Sequence, residues 1–225
     1  MKPFLLLLII SSGLISFSQD CSNFYYLQYN KIIEMAITNS KGKESGKNIY
    51  TITDVKKSGN ITSSIVSSEF IDSKGKSINK SVNNIKCENG IMKMDMKIFI
   101  PSAQQEQMGN GTANASDVYL EYPASMAAGD NLKDGQFTIN SQTAGGMNSS
   151  IEVSITERKV EAKESVTTTA GTWECFKITS KNRITTKIAG IGIPIKSDVT
   201  EWFAPGFGVV KTESKFGKTE ITSVK

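Results

Sequence analysis

The sequence predicts a mainly β protein: a single large antiparallel curved sheet, half-barrel or sandwich-like, with one or two short helices. Apolar and polar residues alternate from Ile91 to Ile100, which is the pattern of a strand with one buried face. Clusters rich in Gly, Asn, Ser and Lys, such as Ser40 to Lys47, separate the apolar runs at hairpin spacing. Apolar residues at helical spacing are scarce. These observations indicate a meander of antiparallel strands.

Each alternating run between two turn clusters is interpreted as one strand. The predicted strands cover residues 24–38, 47–57, 61–72, 77–87, 91–100, 117–122, 136–143, 150–168, 172–188, 195–204, 207–215 and 218–224. Pro101 to Met108 is expected to form a short helix, because proline suits the first helical turn and the residues after it favour helix. Ala124 to Ala128 is expected to form a further helical turn. No segment is long enough to link two cores, so residues 19–225 are predicted to form a single antiparallel β domain.

The first eighteen residues have the pattern of a cleavable signal peptide. A lysine near the start is followed by the apolar run Phe4 to Ile10, and small residues stand at Ser16 and Ser18. The apolar run is too short for a membrane span. We therefore expect residues 1–18 to be removed and the mature protein to be periplasmic or secreted, with no membrane span.

Composition excludes several classes of chemistry. The chain has no histidine, so a Ser/His/Asp or Cys/His nucleophile pair and a histidine-ligated zinc or haem are impossible. The 26 lysines and arginines nearly balance the 22 aspartates and glutamates, and the lysines are scattered through turns, so nucleic acid is not an expected partner. No catalytic motif is present. We expect a protein that is not an enzyme and that needs no cofactor and no metal.

Three cysteines, Cys21, Cys87 and Cys175, enter an oxidising compartment, where two can form a disulfide and one remains free. Spacing does not fix the connectivity. We favour Cys21 with Cys87, because this bond would tether the mature N-terminus, whereas Cys175 lies in an apolar strand typical of a buried thiol. Cys21 also stands near the place of a bacterial lipid-attachment cysteine, but Gln19-Asp20 in front of it differs from the small or apolar residues of such sites.

One methionine pattern allows both a metal and a core interpretation. Met92, Met94 and Met96 lie two apart, so on a strand their thioethers would share a face, and thioethers are soft ligands suited to Cu(I). Ile98 and Ile100 continue the same face without a supporting histidine or thiolate. The pattern therefore favours a buried core over copper.

Other polar or glycine-rich segments are interpreted structurally. Residues 129–135 lack the ligand spacing of a calcium loop and are expected to form a turn. Residues 190–194 lack the features of a nucleotide loop and are expected to form an apolar hairpin tip, which, if exposed, would contact a membrane or a partner. Glu157, Glu161 and Glu201 would serve as acid and base only if strand register brought two of them together.

Two stretches carry a resemblance to a known family. The first is RKVEAKE from Arg158 to Glu164, which runs into TTAGTWECFKI from Thr168 to Ile178, and the second is EWFAPGFGVVK from Glu201 to Lys211. They resemble a group of exported bacterial β proteins named only as domain of unknown function 3108. The resemblance implies a predominantly antiparallel β fold and no known catalytic residue. Similar sequence texture occurs in periplasmic lipoprotein carriers whose half-open sheet holds acyl chains.

The leading hypothesis is an exported, non-enzymatic β protein that binds an apolar ligand, a lipid or acyl chain, in the concavity of its sheet. One-sided strands outnumber the helices available to cover them, so the sheet must cover itself or enclose a ligand. The residues expected near such a cavity are Met92, Met94, Met96, Ile98, Trp202 and Phe207. The alternative hypothesis is a structural or protein-interaction module of the cell envelope, with an envelope protein as its partner.

Overall fold

The structure, a computed structural model, describes residue 21 and residues 24–100, 118–142 and 146–225. This part of the chain contains two short 3₁₀ helices, Tyr25–Leu27 and Met96–Phe99. Its strands in chain order are β1 (Ile32–Asn39), β2 (Glu44–Ser58), β3 (Ile61–Asp72), β4 (Ser77–Glu88), β5 (Ile91–Asp95), β6 (Tyr119–Tyr122), β7 (Gly135–Gln142), β8 (Asn148–Thr168), β9 (Gly171–Ile188), β10 (Ile191–Ala204), β11 (Gly208–Ser214) and β12 (Gly217–Val224). The fold is mainly β, as the sequence predicts.

All twelve strands belong to one antiparallel sheet, in the order β6-β5-β4-β3-β2-β1-β12-β11-β10-β9-β8-β7. Two meanders, β1 to β6 and β7 to β12, are joined where the first strand pairs with the last, with Ile33 opposite Val224 and Asn39 opposite Gly217. The sheet coils into a nearly closed, barrel-like structure whose edges are β6 and β7. Coiling buries the apolar face of each strand against the others, which confirms the predicted curved sheet.

No ladder pairs the two edge strands in the described residues; side chains, and backbone hydrogen bonds from the loop between them to β8, close the gap. Arg158 of β8 donates from Nη1 to the backbone carbonyls of Glu121, at 3.0 Å, and Lys133, at 2.9 Å. Gly135, at the start of β7, lies so close to Met96 that a Cβ on it would be 2.5 Å from the methionine sulfur. A larger residue at position 135 would have to displace the side chains of Met96 and Leu120.

Because consecutive strands alternate in direction, the turns collect at two ends of the sheet. We call the end with the turns after β2, β4, β8 and β10 the closed end, and the end with the turns after β1, β3, β9 and β11 the open end. The N-terminal segment lies at the closed end. There the backbone N–H of Tyr25 donates to the carbonyl of Gly206, and the Ser64 hydroxyl donates to the carbonyl of Tyr26 at 2.6 Å.

A disulfide anchors this N-terminal segment to the sheet. It joins Cys21 to Cys87 of β4, the pairing favoured from the sequence. Within this segment, the side chains of Phe24, Tyr26 and Leu27 are buried. These side chains fill the closed end of the sheet.

Two predicted strands differ from the structure. Residues 24–31 form a 3₁₀ turn and an irregular segment, because they cross the closed end instead of joining the ladder. The predicted strand 91–100 ends at Asp95, whose carboxylate accepts a hydrogen bond of 3.0 Å from the backbone N–H of Lys97. This cap starts the second 3₁₀ helix, which turns the chain out of the strand.

The two predicted helical elements have different outcomes. Ala124 to Ala128 is a loop rather than a helical turn, because the backbone N–H of Ala127 donates to the carboxylate of Asp130, at 2.7 Å, and so closes an irregular turn. The predicted helix from Pro101 to Met108 lies outside the described residues. The other predicted strands match the structure to within a few residues.

Candidate functional site: a cavity at the open end

The barrel-like sheet encloses a cavity of about 650 Å³ toward its open end. Inward-facing side chains from both meanders form its wall. Tyr26, Leu120 and Val209, all buried, lie at its inner end, where the filled core of the closed end begins. One end of the same sheet is therefore packed and the other is hollow.

On β9 and β10, the chemistry of the wall changes with distance from the core. Asn182 is paired with Ser197, and both side chains face the cavity. Two residues farther toward the open end, Ile184 is paired with Ile195, and both of these also line the cavity. The wall thus passes from polar to apolar on the way to the mouth.

The wall on β3 and β4, on the opposite side of the nearly closed sheet, has a polar level at similar depth. Ser68 is paired with Ser81, and the next inward-facing residue of β3 toward the open end is Phe70. We call the uncharged polar side chains at this depth the polar belt, which consists of Ser68, Ser81, Ser180, Asn182 and Ser197.

Hydrogen bonds within each wall hold the polar belt in place. The hydroxyls of Ser68 and Ser81 are 2.7 Å apart, and Asn83 donates from Nδ2 to Ser68 at 2.8 Å. The Ser180 hydroxyl donates to Oδ1 of Asn182 at 3.0 Å. Because hydroxyls and amides keep further donor and acceptor capacity, the belt can still form hydrogen bonds to a bound molecule.

Beneath the cavity lies a buried ionic cluster at Glu201, which contributes to the inner wall. Tyr122 donates to Oε2 of Glu201 at 3.1 Å, and Nη2 of Arg158 is 3.6 Å from Oε1. The ring of Tyr122 stacks on Phe203 at 4.5 Å. Burial raises the pKa of Glu201, and the nearby Arg158 opposes this shift. Burial likewise raises the pKa of Tyr122, and the negative charge of Glu201 adds to the shift.

The sequence model of the DUF3108-like family matches residues 30–225. The chain belongs to the DUF3108-like family. No curated protein matches it significantly. A "putative exported protein with YmcC-like fold" from Bacteroides fragilis has a similar structure, with a TM-score of 0.72 and 22% identity over 90% of this chain and 98% of that one. A "putative lipoprotein" from Parabacteroides distasonis is similar at a TM-score of 0.71 and 18% identity, over 90% and 99% of the two chains.

Among the six residues of this DUF3108-like protein predicted to lie near a cavity, two line it: Met94 and Ile98. Met92 and Met96 face inward but are completely buried in the core. Met92 lies beside Gly208 near the closed end, and Met96 is turned toward Gly135 by the 3₁₀ helix. The three methionines therefore have different surroundings: Met94 lines the cavity, whereas Met92 and Met96 pack in the core.

The two predicted aromatic residues also lie away from the cavity. Trp202 faces outward, where its indole N–H donates to Glu164 at 2.6 Å and the Lys211 ammonium lies 4.5 Å from its ring. Phe207 packs at the closed end, with its ring 4.5 Å from that of Trp173. Alternation along β10 places Glu201, and not Trp202, on the inner face.

The polar belt is the part of the site that sequence reasoning missed. A weak signal for it exists, because Ser68 and Ser81 break the alternation at inward positions next to apolar ones such as Val66 and Phe70, although Asn83 and Ser64 are also buried and polar. Such a break in the alternation shows only that a position is polar. Pairing across the hairpin is needed to show that the polar positions meet.

The remaining candidate residues do not assemble into a second site. Glu157 pairs with Lys181 at 2.6 Å and Glu161 with Lys159 at 3.7 Å, both on the surface and away from Glu201. Across the described residues, no three His, Cys, Asp or Glu side chains are grouped closely enough to hold a metal ion. In the same residues, no helix has the length and apolar character needed to cross a membrane.

Cys175 is the free cysteine of the described chain and is buried. Burial raises the pKa of its thiol to about 12, and the neighbouring Glu174 adds to the shift. A thiol with so high a pKa is almost entirely protonated at neutral pH and is a poor nucleophile. This agrees with the buried, unpaired thiol expected at this position.

Proposed function

We propose that this DUF3108-like protein is an exported, non-enzymatic binding protein that holds an uncharged lipid-like molecule in the cavity of its sheet. The observation that carries the proposal is a cavity of about 650 Å³ that opens at one end of an otherwise packed sheet. A volume of this size lies within the range of small-molecule sites, roughly 300–1,000 Å³. Well-packed interiors leave few voids larger than a water molecule, so a space this large calls for an occupant.

The inner wall favours an apolar chain. Met94, Leu120 and Val209 line this part of the cavity and present only carbon and thioether surface, and Ile155 adds apolar surface beside Asn182 at the depth of the belt. Transfer of apolar groups from water to such a surface is favourable by about 25 cal/mol per Å². The end of an acyl chain inserted from the open end would reach this surface at the bottom of the cavity, next to the packed core.

The polar belt favours an uncharged group on the same ligand. Ser68, Ser81, Asn182 and Ser197 offer hydroxyl and amide groups, and the belt contains no lysine, arginine or carboxylate. An ionised headgroup held at this depth would lack a counter-charge, which is costly inside a protein. Ester, amide or sugar hydroxyl groups would instead find both donors and acceptors.

Three further features support a location of the protein outside the cytoplasm. The chain begins with a signal-like leader, and the fold is closed by a disulfide between Cys21 and Cys87, a bond that persists in oxidising compartments. The two similar structures are described as an exported protein and a lipoprotein. Export would place the cavity among the lipids of the envelope.

Binding of the uncharged fluorophore 1-N-phenylnaphthylamine tests the proposal. We expect saturable binding to the wild type, and loss of at least about tenfold in affinity for Ser197→Phe, which fills the cavity at the belt. Thr200→Phe, on the outer face of the same strand, is the matched control and should bind like the wild type. Equal binding by Ser197→Phe, or no binding by the wild type, would contradict the proposal.

Competition between two ligands of equal chain length tests the role of the belt. Monoolein and oleate carry the same acyl chain but differ in the charge of the headgroup. We expect monoolein to displace the fluorophore at lower concentration, because nothing in the belt pairs with a carboxylate. Stronger displacement by oleate would leave the apolar cavity in place but overturn the preference for an uncharged headgroup.

A further inference from the structure

The β9–β10 hairpin extends beyond its neighbour at the open end. The outermost pair between β10 and β11 joins Val199 to Ser214, so residues 191–198 of β10 face no partner strand on that side within the described structure. At about 3.3 Å per residue, these eight residues span on the order of 26 Å. We call residues 186–195 the overhang.

The inner face of the overhang is apolar and exposed. Ile191, Ile193 and Ile195 lie two apart on β10 and share one face, which is continuous with the cavity wall at Ile195. Ile191 is 77% exposed and Ile193 is 73% exposed, and Ile188, paired with Ile191, is 45% exposed. Several large aliphatic side chains that remain in water together mark an interaction surface.

A proline makes strand addition to this edge unfavourable. Pro194 lies in the middle of the unpaired part of β10, opposite Thr185 of β9. It has no N–H to donate, and prolines are used on edge strands to prevent pairing with another chain. The overhang is therefore poorly suited to a peptide strand or to the edge of a second copy of this protein.

The turns of the open end carry lysines that pair with no carboxylate in the described residues. They are Lys41, Lys43, Lys74, Lys76 and Lys215. The acidic residues of the same region are fewer: Glu44 is exposed and without an ion pair in the described residues, Asp72 accepts backbone N–H groups of its own turn, and Glu152 pairs with Lys187 of the overhang. The exposed isoleucines are thus accompanied by an excess of positive charge.

From these features we infer that the overhang docks on the surface of a bilayer that contains anionic lipid. The isoleucines enter the boundary between headgroups and acyl chains, and the turn lysines contact the anionic headgroups. In this orientation the mouth of the cavity faces the bilayer. Docking depends on the exposed inner face of the overhang, beyond the cavity, and does not require the cavity to be occupied.

Sedimentation with lipid vesicles tests this inference. We expect the wild type to bind vesicles of phosphatidylcholine mixed with phosphatidylglycerol, and to bind much less to phosphatidylcholine alone or at high salt. The double variant Ile191→Ser/Ile193→Ser should lose about tenfold or more in partitioning, because two aliphatic side chains no longer enter the bilayer. Val82→Ser is the matched control, since Val82 is 63% exposed on β4 away from the overhang, and it should bind like the wild type.

Three outcomes would overturn the inference. The first is that the wild type binds neither type of vesicle. The second is that the double variant binds vesicles as well as the wild type does. The third is that the wild type binds no vesicles but self-associates, and that the double variant abolishes this self-association. Ile191 and Ile193 do not line the cavity, so fluorophore binding should be unchanged in the double variant. Failure of vesicle docking is therefore distinguishable from failure of the proposed cavity function.

Discussion

The closed and open ends of the sheet are built from the same strands but are filled in different ways. The closed end is filled by Phe203 of β10 together with Phe24 and Tyr26 of the N-terminal segment, all completely or almost completely buried. At the open end, inward positions carry small polar residues such as Ser68 and Ser197, and a cavity takes the place of the core. The closed end is filled because the N-terminal segment crosses it, whereas at the depth of the polar belt small side chains leave a space.

The comparison indicates how stability and binding are divided in the molecule. The closed end contains the disulfide, the buried Arg158–Glu201 pair and the stacked Tyr122–Phe203 rings. The open end contains the candidate ligand site and exposed isoleucines. Changes at the closed end should therefore affect the free energy of unfolding, whereas changes at the open end should affect binding.

Removal of the disulfide should have the largest effect. The Cys21→Ser/Cys87→Ser variant should lose about 4 kcal/mol in the free energy of unfolding, because the bond closes a loop over a sequence separation of 66 residues. Urea denaturation of the oxidised wild type and of the variant measures this difference. Cys175→Ser, which leaves the bond intact, is the control, and a similar loss in both variants would contradict the assigned role of the disulfide.

Loss of the buried arginine should rank second. Arg158→Met should lower the free energy of unfolding by about 3 kcal/mol, because it leaves the carboxylate of Glu201 buried without its positive partner. It also removes the two hydrogen bonds from Arg158 to the carbonyls of Glu121 and Lys133. The double variant Arg158→Met/Glu201→Gln should recover part of this loss. Urea denaturation of the wild type, Arg158→Met, Glu201→Gln and the double variant measures the coupling, and a double variant less stable than Arg158→Met would show that the ion pair is not the main cause.

A matched pair of small deletions compares the two ends directly. Ile85→Val removes a methyl group from a fully buried site and should cost about 1 kcal/mol. Ile195→Val removes the same group from a side chain that lines the cavity and is 40% exposed, so it should cost only a few tenths of a kcal/mol. Thermal or urea denaturation measures both, and equal losses would mean that the open end is as tightly packed as the closed end.

A surface ion-pair network should give the smallest effect. Hydrogen bonds from Lys225 and Lys47 lower the pKa of Glu34 below its unfolded value. The folded state then binds fewer protons, so this contribution is complete above the unfolded pKa and is lost as pH falls through the folded pKa. Glu34→Gln should lower stability by about 0.5 kcal/mol at neutral pH and by less in acid.

Urea denaturation at neutral and at acid pH checks this dependence on Glu34. Glu44→Gln is the control, because Glu44 is exposed and forms no ion pair within the described part of the chain. If the Glu34→Gln difference grew as the pH fell, the sign of the shift would be wrong.

The fold could be predicted well from the sequence because the signals for strands and turns are local. Alternation from Ile91 to Asp95 identifies a strand, and turn clusters identify its ends, since both depend on neighbouring residues. The error at Met96 has a local cause as well: Asp95 caps a 3₁₀ helix there, and alternation alone does not reveal the cap. The disulfide was selected from three pairings by an argument about tethering the N-terminus.

The candidate site was less predictable because it depends on contacts between distant residues. Arg158 and Glu201 meet across β8, β9 and β10, and Ser68 meets Ser81 across a hairpin, so neither relation is visible before register is known. The apolar residues chosen as cavity candidates include Trp202, which the alternation of β10 places outside. Composition predicts an apolar interior but does not determine which part of it is left hollow.

The central claim is that the open end holds a lipid-like molecule, and native mass spectrometry of protein purified from its own host tests it most directly. We predict that the wild type carries additional mass from an uncharged lipid, recoverable by organic extraction, and that Ser197→Phe carries none. Bare protein in both cases, or the same bound mass on both proteins, would contradict the account.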